Sequence, residues 1–96
     1  MAVIESRLVR VHGRVQGVGF REACVHEARR GSVTGWVRNR MDGSVEAMLQ
    51  GAPERLDKLC RWLQDGETPG LVERVDIQPI DPPFARFDRF DRVATS

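Results

Sequence analysis

The stretch SVTGWVRNRMDGSVEAMLQG, residues 32–51, decides the fold, because it holds two alternating runs of residues on either side of a turn. Asp42-Gly43 stands between the runs, and Asp-Gly flanked by alternating apolar residues is a strong signal for a β-hairpin. The stretch therefore predicts two antiparallel strands. One predicted strand has Val33, Gly35 and Val37 on a shared face, and the other has Val45, Ala47 and Leu49.

A predicted helix lies on each side of the hairpin. Residues 21–30 form the first, in which an apolar residue recurs at every fourth position before Gly31 ends the helix. The second begins at Pro53, which favours the first helical position, and Gly66 is its expected C-terminal cap. The apolar stripes are Phe20, Cys24 and Ala28 for the first helix, and Leu56, Leu59, Cys60 and Leu63 for the second.

Further strands are predicted outside the two helices. Val9 and Val11 alternate with polar residues in a strand that runs into Gly13, and LVERVDIQPI, residues 71–80, is a fourth strand. The order strand, helix, strand, strand, helix, strand predicts an α+β fold, the ferredoxin-like split βαβ sandwich (βαββαβ), in which an antiparallel sheet carries two helices on one face. We expect a single domain over residues 1–96, with a core of about residues 7–90.

The stretch FARFDRFDRV, residues 84–93, repeats every three residues, and that period fits neither a strand nor a helix well. It predicts either a fifth edge strand or a frayed tail. One of three phenylalanines, Phe84, Phe87 or Phe90, is expected to pack on the core.

Charge is unevenly distributed along a chain whose net charge is +1. Residues 1–40 carry eight Arg and three acids, a balance of +5, whereas residues 41–96 carry seven Arg or Lys and eleven acids, a balance of −4. A basic half suits a small anionic ligand, and a pI near 7.9 argues against nonspecific binding of nucleic acid. Solvated surface charge without a function is an equally open interpretation.

Composition and cysteine usage indicate an ordinary soluble protein, with 41% hydrophobic and 30% charged residues. The opening stretch MAVIESRLVRV is interrupted by charged residues, and no apolar run approaches the length of a membrane span. We therefore expect no membrane association and a cytoplasmic location. Cys24 and Cys60 lie far apart and away from any ligand-spaced histidine, so we expect two reduced, buried thiols and no zinc site.

The stretch VHGRVQGVGFR, residues 11–21, places three glycines and then Arg21 between the first predicted strand and the first helix. Backbone N–H groups of such a turn and of a helix start can bind phosphate oxygens, and a guanidinium can hold two of them. The stretch has neither the Lys-Ser/Thr ending of a P-loop nor the spacing GxGxxG, which disfavours a nucleotide site. The spacing alone is consistent with a phosphate-binding loop, and equally with a tight turn between strand and helix that is followed by a surface arginine.

Together, VHGRVQGVGFR and GWVRNRMDGSVEAMLQG closely resemble the two signature motifs of the acylphosphatases. That family consists of small ferredoxin-like enzymes that hydrolyse carboxyl-phosphate bonds without a metal or a cofactor. The resemblance implies that Arg21 is the essential phosphate ligand and that Asn39 orients the attacking water. It also implies that backbone N–H groups bind the phosphate along a loop of Arg14, Val15, Gln16, Gly17, Val18, Gly19 and Phe20.

The resemblance further implies a small-molecule acyl phosphate as substrate, no cofactor and no metal. We expect a monomer without a nucleic-acid partner, since RNA-binding ferredoxin-like domains need several aromatic residues on their central strands and only Trp36 is available here. His12 and His26 are interpreted as exposed or structurally satisfied residues rather than as catalytic groups. The alternative function is a noncatalytic ferredoxin-like module that binds an anion or a partner.

Overall fold

The computed structural model describes residues 3–96, and within that range the elements follow the predicted order. They run as β1 (Glu5–Arg14), α1 (Phe20–Arg30), β2 (Thr34–Asn39), β3 (Val45–Gly51), α2 (Pro53–Asp65), β4 (Leu71–Ile80) and β5 (Phe90–Arg92). The strands form one sheet in the order β4-β1-β3-β2-β5. Residues 1 and 2 of the expected domain lie outside the described residues.

The predicted hairpin is confirmed, because β2 and β3 pair antiparallel, with Asn39 at the end of β2 opposite Val45. Asp42 closes the turn: its Oδ1 accepts a hydrogen bond from the backbone N–H of Ser44 at 2.9 Å and another from Ser44 Oγ at 2.6 Å. A short acidic side chain favours turns for this reason, since it reaches the backbone two residues further on. β1 pairs antiparallel with both β3 and β4.

Both helices pack on one face of the sheet, as predicted. α1 lies against β2 and β5, and α2 lies against β1, β3 and β4. One cluster of buried side chains joins the two helices to the sheet. We refer to the side of the sheet that carries this cluster as the helix face. The cluster includes Phe20, Cys24, Ala28, Leu56, Leu59, Cys60 and Leu63 from the helices, and Val9, Val11, Val37, Val45, Ala47, Leu49 and Phe90 from the strands.

The two cysteines belong to this core. Cys24 on α1 and Cys60 on α2 are free and buried, as predicted. Burial raises the pKa of the Cys24 thiol to about 12, and burial also raises the pKa of Cys60 in spite of a hydrogen bond with Arg7. Both side chains are therefore neutral thiols at physiological pH and pack as small apolar groups.

The tail contributes a fifth strand rather than a frayed end. β5 pairs parallel with β2, beginning with Phe90 opposite Gly35. The predicted antiparallel sheet is thus confirmed for β1 to β4, and the parallel fifth strand makes the complete sheet mixed. Phe90 is the phenylalanine that packs, since it is 1% exposed, whereas Phe84 and Phe87 are half-buried.

The segment between β4 and β5 crosses the width of the sheet, because those strands occupy opposite edges. Gln50 on β3 holds this segment: its Nε2 donates to the backbone oxygen of Ala85 at 2.6 Å, and its Oε1 accepts from the backbone N–H of Phe87 at 2.9 Å. Gln50 is only 2% exposed. Its side-chain amide supplies the donor and the acceptor that a neighbouring strand would otherwise supply.

Candidate active site

The loop between β1 and α1 is built around two left-handed glycines. Gly17 has φ 74° and Gly19 has φ 85°, conformations that other residues rarely adopt. Among residues 3–96, a Cβ added at either position would meet no atom within 4 Å, so backbone conformation rather than lack of space requires glycine. Val15 and Phe20 are each 1% exposed and anchor the two ends of the loop in the core.

The loop presents backbone donors that lack a protein acceptor. None of the N–H groups of residues 16–19 donates to a backbone or side-chain oxygen within the described range 3–96. Gly19 caps α1 without a side-chain hydrogen bond, and the first-turn N–H groups of a helix have no partner inside it. A continuous run of free N–H groups therefore extends from the loop into the helix start, which is the arrangement that binds anions.

Arg21 stands in the first turn of α1, two residues after Gly19. Its side chain is half-buried and makes no ion pair or hydrogen bond with any residue in the described part of the chain. The next residue, Glu22, pairs with Arg92 instead. A guanidinium without a counter-ion, beside free N–H groups, is suited to hold two oxygens of an anion.

Asn39 is the last residue of β2 and lies on the helix face of the sheet. It is in one row of cross-strand neighbours with Val45 on β3 and Val11 on β1. This row is at the end of the sheet where β1 runs into the loop. The side-chain Oδ1 of Asn39 is buried and accepts no hydrogen bond from any of residues 3–96. Since buried polar atoms generally have a partner, this oxygen is an acceptor available to a bound water.

Gln16 connects the loop to the strand end that carries Asn39. Its Nε2 donates to the backbone oxygen of Arg40 at 2.8 Å and to that of Ser44 at 2.9 Å. Both carbonyl groups belong to the turn between β2 and β3, so one side chain joins the two sequence motifs. The side-chain contacts of Gln16 were not predicted from the sequence, because partners 24 and 28 residues away leave no local pattern.

The other residues singled out from the sequence have different surroundings. Arg14 and Val18 are exposed. The backbone of Arg14 is the last of β1 and pairs with Leu71 on β4, whereas that of Val18 belongs to the loop. His12 Nε2 lies 3.0 Å from Asp76 Oδ2, and His26 is exposed on α1. Residues 3–96 hold no group of three His, Cys, Asp or Glu arranged to bind a metal, and no helix among them is long and apolar enough to cross a membrane.

Comparison with known proteins identifies the family to which these motifs belong. Residues 8–91 match the family model described as Acylphosphatase. The chain belongs to the acylphosphatase family. The resemblance of the two motifs is thereby confirmed over most of the chain.

Relatives within the acylphosphatase family are similar along nearly their whole length. "Acylphosphatase 1" of Ralstonia nicotianae is 57% identical over 94 residues, which is 98% of this chain and 92% of the relative. An acylphosphatase structure from Coxiella burnetii matches with a TM-score of 0.85 at 32% identity, covering 94% of this chain and 93% of that one. The acylphosphatase of Bacillus subtilis matches with a TM-score of 0.82, also at 32% identity, covering 95% and 99%.

The two acylphosphatase motifs meet at one end of the sheet in this chain. The first supplies free N–H groups and the guanidinium of Arg21, the second supplies the amide of Asn39, and Gln16 links them. None of residues 14–21 is Ser, Thr, Cys or His. The arrangement is therefore suited to binding a tetrahedral anion and positioning a water molecule, rather than to nucleophilic catalysis by a side chain.

Proposed function

We propose that this chain hydrolyses the carboxyl-phosphate bond of small acyl phosphates to a carboxylate and inorganic phosphate, without a metal or a cofactor. The observation that carries the proposal is the half-buried Arg21, which has no counter-ion among residues 3–96 and comes two residues after the free N–H groups of residues 16–19. Membership of the acylphosphatase family supports the same reaction.

In the proposed mechanism, the loop and Arg21 bind the phosphoryl group. Backbone N–H groups of residues 14–20 and the guanidinium of Arg21 surround its oxygens. The transition state of phosphoryl transfer spreads negative charge over those oxygens, so donors already fixed in place stabilise it without reorganising. The left-handed conformations of Gly17 and Gly19 help to form a concave run of donors.

Asn39 orients the attacking water in this mechanism. Its buried Oδ1 accepts a hydrogen bond from the water and holds it in line with the bond that breaks. An amide does not titrate near neutral pH and cannot act as a general base, so the proton of the water passes to a phosphoryl oxygen. The departing carboxylate is a weak base, and it needs no general acid.

We further propose a single domain over residues 1–96, with its core within about residues 7–90, that works as a cytoplasmic monomer without a nucleic-acid partner. One buried cluster reaches from Val9 to Phe90, which supports a single domain.

The proposed monomer is supported by one edge of the sheet. Pro79 and exposed charged side chains on β4 discourage pairing of that sheet edge with another chain. The guanidinium of Arg38 lies 4.8 Å from the ring centroid of Trp36 and covers a face on which a base would stack. Free thiols suit a reducing compartment.

The substitution Arg21→Ala tests the proposed reaction. We expect wild-type protein, stripped of metals with a chelator, to hydrolyse benzoyl phosphate, measured as the loss of its ultraviolet absorbance. Arg21→Ala should lower kcat/KM by about 10³-fold, because the guanidinium stabilises charge that develops in the transition state. The control is Arg30→Ala at the opposite end of the same helix, where the arginine has Glu27 as its only ion-pair partner among residues 3–96, and it should keep wild-type activity.

Two results would contradict the proposal in different ways. Turnover that survives Arg21→Ala would mean that the reaction occurs elsewhere on the protein. A folded wild type that binds inorganic phosphate without hydrolysing benzoyl phosphate would instead identify the noncatalytic anion-binding module.

A further inference from the structure

A row of alternating charges crosses the sheet on the face opposite the helices. In the register of the sheet, Asp76 on β4 lies opposite Arg10 on β1, Arg10 lies opposite Glu46 on β3, and Glu46 lies opposite Arg38 on β2. We call these four residues the charge row. Because side chains alternate between the faces of a strand, the row lies directly behind the one that contains Asn39.

Glu46 is the centre of the charge row. Its side chain is 6% exposed, and its carboxylate lies 2.7 Å from Arg38 Nη2, 3.1 Å from Arg10 Nη2 and 3.5 Å from Arg40 Nη1. Arg38 Nε donates a further hydrogen bond of 2.9 Å to Glu46 Oε1. A buried carboxylate with this many charged donors holds them in a narrow range of positions.

Two of these arginines, Arg38 and Arg40, flank Asn39 in the sequence. With both guanidinium groups held by Glu46 behind the sheet, the residue between them is directed to the helix face. The backbone oxygen of Arg40 also accepts the hydrogen bond from Gln16 that ties the loop to the hairpin. One carboxylate therefore contacts the side chains on both sides of the water-orienting amide, and one of those residues anchors the loop.

We propose that Glu46 is a positioning residue for turnover, which acts by clamping Arg38 and Arg40 so that Asn39 keeps its orientation. The inference rests on the proposed acylphosphatase reaction. In the absence of the Glu46 carboxylate, Asp42 still lies 3.4 Å from Arg10, but Arg38 and Arg40 lose the acid that they share, and their repulsion displaces the end of β2. A shift of about 1 Å in a positioning group is enough to slow a reaction strongly.

The test is Glu46→Gln, with Asp76→Asn as a matched control. Glu46→Gln should lower kcat for benzoyl phosphate about tenfold and change KM less than about twofold, because the phosphate-binding groups remain. Asp76→Asn removes a carboxylate from the same charge row, but its partners are His12 and Arg74, and it should keep the wild-type kcat. In the Asn39→Ala background, Glu46→Gln should lower kcat by less than about twofold, since its effect acts through the missing amide.

A second readout is independent of activity. The side-chain amide resonances of Asn39, assigned in nuclear magnetic resonance spectra by their absence in Asn39→Ala, should shift in Glu46→Gln and stay in place in Asp76→Asn. If Glu46→Gln fails to fold, Arg38→Gln replaces it, because Glu46 then keeps its contact with Arg10 while the clamp on β2 weakens. The same loss of kcat at constant KM is expected.

A folded Glu46→Gln protein with wild-type kcat and unmoved Asn39 resonances would overturn the inference, and so would an equal loss of kcat in the Asn39→Ala background. Absence of turnover in the wild type would overturn the proposed function instead. The resonances would then still decide whether Glu46 positions Asn39.

Discussion

The side-chain oxygen of Asn39 accepts no hydrogen bond from residues 3–96, which is unusual for a residue that ends a strand beside the core. Leaving such an acceptor buried without a partner costs about 1–3 kcal/mol. A substitution that removed the polar atom would avoid this cost, and a bound water offsets it. The proposed role in orienting a water would account for an amide that the fold does not require.

Asn39→Ala should lower kcat for benzoyl phosphate about 100-fold, since one oriented contact to the attacking water is lost. The inhibition constant for inorganic phosphate should change less than about threefold, because the loop and Arg21 are untouched. Thr34→Ala, at the other end of β2, is the control and should keep the wild-type kcat. An equal loss of phosphate affinity in Asn39→Ala would assign that residue to binding instead.

Individual residues were predictable where a motif contains them. The motif resemblance selected Arg21 and Asn39, whose roles stay predictions until variants are measured. The side-chain tie of Gln16 was not predictable, because its acceptors lie in the other motif. Glu46 was missed for a similar reason: it alternates with apolar residues like a solvated strand position, yet arginines from two other strands bury it.

Among the elements, β5 is three residues long and contacts both α1 and β2. Phe90 enters the core, its backbone oxygen accepts a 3.0 Å hydrogen bond from Arg29 Nε on α1, and Arg92 pairs with Glu22 at the start of that helix. This strand therefore supports both α1 and the outer edge of β2, which carry the proposed catalytic groups.

Phe90→Ala should lower the free energy of unfolding by about 3–5 kcal/mol, as expected for a fully buried phenylalanine that leaves a cavity. Phe87→Ala is the matched control from the same triplet repeat, and its loss should be clearly smaller because that ring is half-buried. Urea unfolding followed by circular dichroism measures both. Similar losses for the two variants would show that the packing of Phe90 does not determine the stability of β5.

Elements in which apolar residues recur with a clear period were predicted closely, and the others were not. The apolar stripes place both helices, and α1 begins at Phe20, within one residue of the expected start. The triplet repeat presents three phenylalanines in nearly identical sequence contexts, so it cannot indicate which one packs. Which phenylalanine packs depends on the position of the segment between β4 and β5, and hydrogen bonds with the distant Gln50 hold that segment.

For the molecule as a whole, folding mixes the basic and acidic halves of the sequence. Arg10 and Arg38 come from the basic half and pair with Glu46 from the acidic half. The net charge of the first 40 residues is therefore a poor guide to the surface field. Arg21 supplies positive charge at the proposed site, because it is left without such a partner among residues 3–96.

These ion pairs predict how stability depends on pH. Burial alone would raise the pKa of Glu46, but hydrogen bonds from Arg38 and Arg10 hold it below the ordinary value of 4.5. Hydrogen bonds from Ser44 likewise lower the pKa of Asp42. A carboxyl group with a depressed pKa in the folded state adds stability above its ordinary pKa, and this stability is lost as the pH falls through the folded value.

The free energy of unfolding should therefore decrease as the pH falls below about 4.5, measured by urea unfolding at a series of pH values. Glu46→Gln should flatten that dependence, because the variant has no proton to take up at this position. Asp88→Asn, which removes an exposed carboxylate without an ion pair in the described residues, should keep the wild-type slope. An unchanged slope in Glu46→Gln would show that its ion pairs add no stability.

The parallel strand β5 also sets the order in which a nascent chain can complete its site. The outer edge of β2 receives backbone hydrogen bonds from residues 93–96: a 2.9 Å bond runs from Val93 N–H to the oxygen of Val37, and a 3.1 Å bond runs from Ser96 N–H to the oxygen of Asn39. These residues follow β1 to β4 and both helices along the chain, so they are synthesised later. The strand that carries Asn39 thus remains an open sheet edge on the ribosome until residues 90–96 emerge, and the proposed site is completed only after β1 to β4 and both helices have been synthesised.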